Sequence, residues 1–224
     1  MDTELESIAA AIIERLTTTS QVRDRALGDC RQIIRWSANS VRASHRGDFE
    51  ESSRELDEAR ALVHAVISYT RDLPNIYWAG YVQDAMKEFA EAVITNAIIR
   101  KLKIPDPTDI GVEDASYLNA LAEAASELRR DTLDLLRGDD LERATTLLGI
   151  MDEIYAVLVS IDFPDAITGG LRRTTDSLRA VLERTRGDVT VTINQRRLEQ
   201  AVRSIQHDLS VPSGELSLAE NPEE

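Results

Sequence analysis

Cysteine is nearly absent from this 224-residue chain: Cys30 stands alone, so neither an intrachain disulfide nor a cysteine-based zinc site can form. A disulfide-stapled secreted scaffold is thereby excluded, and the chain reads as cytoplasmic. Long hydrophobic runs are missing too. The apolar stretch from Ile8 to Ile13 falls far short of the roughly 20 residues a bilayer requires, and the start, Met1-Asp2-Thr3-Glu4, lacks the basic segment of an export signal. No membrane partner is expected. Lysine is the scarcest charged residue, with Lys87, Lys101 and Lys103 leaving 23 of the 26 basic residues as arginine. Against 40 Asp and Glu the net charge is −14, a balance that on its own argues against a nucleic-acid partner. An acidic, lysine-poor surface fits the high internal salt of a halophilic archaeon, where screening shortens the Debye length to roughly 3 Å at 1 M.

Hydrophobic residues, at 42% of the chain, suffice for a core, and they recur at helical spacing. Leu56, Ala59, Leu62, Val63, Val66 and Ile67 form one such series, and Leu141, Ala144, Leu148, Met151, Ile154, Tyr155 and Leu158 another. The pattern predicts an all-α chain, with helices at about 3–18, 20–46, 49–72, 74–102, 113–137, 140–160, 164–186 and 194–208. The first two are expected to be separate or one bent helix, and the set packs as an antiparallel bundle of about seven long helices. Gly47 and Gly138 read as left-handed helix stops, with Asp48 and Asp139 as the next N-caps and Glu51 and Glu142 closing capping boxes. Gly187 reads as a third stop, and Val189 to Ile193 as a strand-like link. Residues 1–209 then form one domain, and 210–224, rich in Pro, Ser, Gly and Glu, a disordered acidic tail.

Phosphate-binding glycine loops, the nucleophile elbow and the H-E-x-x-H zinc motif are all absent. His45, His64 and His207 lie far apart and read as capping or packing residues. Two constellations remain. Glu88 and Glu91 share one helix face and Glu123 and Glu127 another. Were the two helices to pack together, four carboxylates would converge as a hard-oxygen site for Mg²⁺ or Mn²⁺, suited to phosphodiester hydrolysis; ordinary salt bridges to Lys87, Arg129 or Arg130 are the alternative. On the predicted helix over 20–46, Arg31, Arg35, Arg42 and Arg46 fall within roughly 60° of one another, beside an apolar face of Leu27, Ile34, Ala38 and Val41. That row suits either a phosphate backbone or ion pairs with the surplus acids.

Three stretches resemble the translin family, and within it the nuclease subunit, translin-associated factor X: Arg31 to Arg46 with its terminal Ser44-His45-Arg46; Gln83-Asp84-Ala85-Met86-Lys87-Glu88-Phe89-Ala90-Glu91-Ala92; and Val112 to Arg130, with Ser116-Tyr117-Leu118 and Ala122 to Leu128. By position, Glu88, Glu91 and Glu127 match the family's catalytic glutamates, while Glu123 stands where the family has aspartate. The basic cluster by which translin itself reads nucleic acid has no counterpart over Ile76-Tyr77-Trp78-Ala79-Gly80. The resemblance implies a translin-like helical fold, a homo-oligomeric barrel (an octamer), and Mg²⁺-dependent cleavage of single-stranded RNA by Glu88, Glu91, Glu123 and Glu127, with Arg31, Arg35, Arg42 and Arg46 steering phosphates. A non-catalytic assembly binding RNA or single-stranded DNA, and a helical scaffold with no nucleic acid, are the competing expectations.

Overall fold

A computed structural model describes residues 2–210; the expected acidic tail falls almost wholly outside them. The described residues are helical with no strand: α1 (Asp2–His45), α2 (Phe49–Thr70), α3 (Pro74–Tyr77), α4 (Gly80–Ile99), α5 (Pro107–Ile110), α6 (Asp114–Arg137), α7 (Leu141–Val159), α8 (Asp165–Thr168) and α9 (Leu171–Ser210). The all-α, translin-like expectation holds, with six long helices and three single turns. None of the described helices is long and apolar enough to cross a membrane.

The first 44 residues of the described chain form one continuous helix. Its buried stripe is Ala26, Cys30, Ile33, Ser37, Ser40 and Ser44, a run of alternating four- and three-residue steps, with Ala43 buried beside its end. The expected face of Leu27, Ile34, Ala38 and Val41 is only half-buried and flanks that stripe. Small side chains win the centre because they let α1 lie close against α2 and α4. There Asn96 donates to the hydroxyls of Ser44 at 3.0 Å and Ser52 at 2.7 Å, and Ser40 and Ser52 lie 2.7 Å apart. A fully satisfied buried polar network of this kind fixes the register of three helices.

Gly47 is left-handed, at φ +75°, and Asp48 caps α2 through the Glu51 amide; the Glu51 carboxylate turns instead to Arg46 and Arg54. At the second site the reading shifts by one residue. Gly138 is not left-handed; Asp139 is, at φ +74°, and Asp140 is the cap, accepting from the Arg143 amide. Asp tolerates this region better than most side chains. Gly187 stops nothing, and Val189 to Ile193 is no link but part of α9. Leu178, Leu182, Thr185 and Val189 are all buried, so the helical period carries through the β-branched run, and packing overrides local preference. The Gly169–Gly170 pair, at φ +61° and +84°, breaks the expected 164–186 helix into α8 and α9.

The long helices α4 and α6 run parallel, where a short connection would have made them an antiparallel hairpin. Ser116 bonds Gln83 at the start of both, and Glu123 meets Lys87 further along. The segment from Arg100 to Glu113 makes this possible by running back along α2 and α3. Gly111 sits against the His64 ring, the Tyr77 hydroxyl donates to Glu113, and the Tyr117 hydroxyl donates to the Pro105 carbonyl at 2.8 Å. Parallel α4 and α6 align their acidic faces turn for turn.

Candidate metal centre

The aligned faces bring Glu88 and Glu91 of α4 to Glu123 of α6, each offering an oxygen within 4.8 Å of the others. Glu127, one turn further along α6, adds its charge to the same neighbourhood. Buried apolar residues on both helices, Ala85, Phe89, Ala92, Ala120, Ala124 and Leu128, hold the backbones close enough for the carboxylates to meet. The four glutamates singled out by spacing are thus neighbours in space. Their alternative is met in part: Lys87 reaches Glu123 at 2.5 Å and Glu88 at 3.2 Å, while Arg129 turns away to Asp188 and Thr185. Burial works against the Lys87 charge, but the hydrogen bond and charge of Glu123, then of Glu88, raise its pKa.

Glu91 differs from the rest. Among the described residues it makes no hydrogen bond or ion pair; burial first, then the like charges of Glu88, Glu123 and Glu127, push its carboxyl up to about 8, with Lys87 pulling the other way. A half-buried carboxylate facing three others is neutralised by a proton or by an added cation. Three convergent hard oxygens fit a divalent ion of the Mg²⁺ or Mn²⁺ kind. A groove of about 730 Å³, lined by Trp78, Asp84, Lys87, Glu123 and Arg173, reaches the cluster at Glu123.

On the other side of the cluster lies a residue that reads from sequence as a capping or packing histidine. His45, its side chain 2% exposed, bonds Asp131 through Nδ1 at 2.8 Å and Glu127 through Nε2 at 3.2 Å. Burial opposes its charge, yet the hydrogen bonds it donates to Asp131 and Glu127, and their charges, raise its pKa to about 9. The same bond lowers the pKa of Glu127. A charged His45 therefore holds Glu127 ionised and fixes its orientation. Two signals in the sequence point to it: Asp131 continues the four-residue step of Glu123 and Glu127 on one helix face, and His45 ends α1.

The four arginines lie apart from this cluster, in an exposed row on the side of α1 away from the core. Arg46 pairs with Glu51 at 3.6 Å and Arg42 donates to Asn39 at 2.5 Å. Arg31 and Arg35 have no hydrogen-bond or ion-pair partner among the described residues. Internal salt bridges thus account for only a part of the row.

Fold and site together define an all-helical protein with an acidic centre between two parallel helices, and known proteins share the fold. No family model matches the sequence. Among solved structures, AfC3PO in a duplex RNA complex superposes with a TM-score of 0.76 at 31% identity, covering 84% of this chain and 97% of that one. The crystal structure of AfC3PO gives a TM-score of 0.77 at 32% identity over the same shares. At 17% identity, apo-NeC3PO shares the fold, with a TM-score of 0.75 over 82% of this chain and 96% of its own. An uncharacterized protein of Methanocaldococcus jannaschii is 26% identical over 204 residues, 89% of each chain. The chain belongs to the translin family.

Proposed function

We propose that this protein is a divalent-cation-dependent endoribonuclease that binds RNA within a homo-oligomer and cleaves single-stranded RNA. The observation that carries the reading is the convergence of Glu88, Glu91 and Glu123 on one half-buried spot, beside Glu127. The RNA named in the AfC3PO complex, a relative at 31% identity, supports the choice of substrate class.

In this reading Glu88, Glu91 and Glu123 hold Mg²⁺ or Mn²⁺, and Glu127 completes the set. The ion supplies positive charge against the charge that develops on the phosphate, together with a more acidic water. Glu91, with its raised pKa, surrenders a proton when it ligates. Lys87 holds Glu88 and Glu123 in place and offers a cation to a neighbouring phosphate oxygen. His45 fixes Glu127 from behind. Arg31 and Arg35, which have no hydrogen-bond or ion-pair partner among the described residues, take phosphates of the strand further along, and Arg42 and Arg46 extend the row. Arginine's planar fork suits that contact.

The second reading is an assembly that binds RNA or single-stranded DNA without cutting it, and Lys87 favours it: its ammonium already lies between two of the carboxylates. One assay separates the two readings. Single-stranded and duplex RNA are incubated with the protein, with and without Mg²⁺, at several salt concentrations. Cleavage that needs the ion supports the nuclease; binding without cleavage at every ion and salt concentration supports the second reading.

A further inference from the structure

The two longest helices run past the body of the protein at opposite ends. Residues 3–18 of α1 are exposed throughout, and Leu5, Ile8, Ile12, Ile13 and Leu16 are 42–63% exposed. Leu5, Ile8, Ile12 and Leu16 lie within about 80° on a wheel of 3.6 residues per turn. They continue the face that Ala26, Cys30 and Ile33 bury against α2 and α4. The core-facing stripe of α1 thus extends about four turns beyond anything among the described residues that could cover it.

Helix α9 repeats the pattern at the other end. Beyond Arg196, which pairs with Asp139 at the α6–α7 turn, the side chains through residue 207 are almost all exposed. Val191, Leu198, Val202 and Ile205 are 46–65% exposed and share one face within about 60°. α1 and α9 run in the same direction, since His45 meets Asp131 near the end of α6 and Arg129 meets Asp188 of α9. The α1 arm therefore leaves beside α3 and the α9 arm leaves beyond the α6–α7 turn, and the two cannot meet within one chain.

Charge says which arm each fits. Residues 3–18 carry Glu4, Glu6 and Glu14 against Arg15, a net −2; residues 191–207 carry Arg196, Arg197 and Arg203 against Glu199, a net +2 with histidine neutral. Pairing either arm with its own kind sets like charges side by side, whereas pairing the two kinds joins opposite signs along equal lengths of about 25 Å. Exposed apolar stripes of this size mark an interaction surface.

We propose that the α1 arm of one copy packs on the α9 arm of a second copy, head to tail. This deepens the homo-oligomer part of the proposed function and rests on it. Such a contact is heterologous: every junction leaves one free arm of each kind at the two ends of the series, so copies add until the rotation between them closes the series into a ring.

The test blocks one arm at a time in the full chain. Ile8→Glu with Ile12→Glu disables the α1 arm, and Leu198→Glu with Val202→Glu disables the α9 arm; light scattering reads mass at 0.1 and 2 M KCl, and circular dichroism confirms that helix content is kept. The wild-type chain is expected as a discrete multimer, each variant alone as a monomer, and an equimolar mixture of the two as a 1:1 dimer, because it has one competent junction. Pairing of like arms predicts instead that either variant dimerises alone, and that result overturns the proposal. A wild-type multimer that survives both variants also overturns it, leaving the oligomer reading intact. A monomeric wild-type chain overturns both.

Discussion

The arginine row of α1 is the product of a single helix. Four residues at multiples of a helical turn place their guanidinium groups on one exposed side, and no other element is needed to bring them there. The carboxylate centre is made by three helices: α4 and α6 must run parallel to align Glu88 and Glu91 with Glu123 and Glu127, and α1 must end where His45 can reach Glu127 and Asp131. The first constellation is exposed to solvent, and Arg31 and Arg35 have no hydrogen-bond or ion-pair partner among the described residues; in the second, burial and like charges raise the pKa of Glu91, while hydrogen bonds and opposite charges, working against burial, raise those of Lys87 and His45 and lower that of Glu127. Like charges held together at the expense of stability are a mark of functional sites, while an exposed row of one sign contributes little to the fold and is free to meet a ligand.

Substitution at Glu91 tests that contrast most severely. Glu91→Gln is expected to lower RNA cleavage by about 100-fold or more and yet raise thermal stability in the absence of divalent ions. The folded-state pKa of about 8, against 4.5 for an ordinary glutamate, means that the unfolded chain gives up this proton more readily. Above pH 4.5 the residue therefore weakens the fold, most fully beyond pH 8. The gain in melting temperature should be larger at pH 8.5 than at pH 5; equal gains would mean that Glu91 carries no such load.

Removing the cation behind the centre has the opposite sign. His45→Ala leaves Asp131 unpaired, and a loss of about 2 kcal/mol is expected from denaturant unfolding near pH 6. His45 titrates at about 9 when folded, against 6.5 when unfolded, so its contribution is complete below pH 6.5 and lost as pH rises through about 9. The difference between wild type and variant should shrink over that window. Lys87→Met should act more mildly, leaving Glu88 and Glu123 without their shared ammonium. Added Mg²⁺ should then raise the melting temperature of the variant by more than it raises that of the wild type; an equal shift would place the ion elsewhere.

The smallest effect on the fold belongs to the arginine row. Arg31→Gln combined with Arg35→Gln is expected to change stability by no more than about 0.5 kcal/mol. The same change should weaken RNA binding and reduce the slope of log affinity against log salt by about 2, one for each phosphate no longer neutralised. An unchanged slope would show that the strand does not follow α1.

Sequence alone determined what depends on neighbours along the chain. Helical periodicity specified the fold class, Gly47 and Asp48 marked one helix boundary, and steps of three and four paired the glutamates on their own helix faces, because each of these is a property of one turn or two. The stretches around Arg31–Arg46, Gln83–Ala92 and Val112–Arg130 carried the family resemblance, which the similarity to AfC3PO upheld. Tertiary structure decided the rest. The Arg100–Glu113 segment set α4 and α6 parallel within what was expected to be an antiparallel bundle, packing carried α9 through Gly187, and His45 entered the centre from 82 residues away. The step from Glu123 through Glu127 to Asp131 marks one face of α6 in the sequence, but which residue meets that face from 82 positions away follows only from the closing of the whole fold around its core.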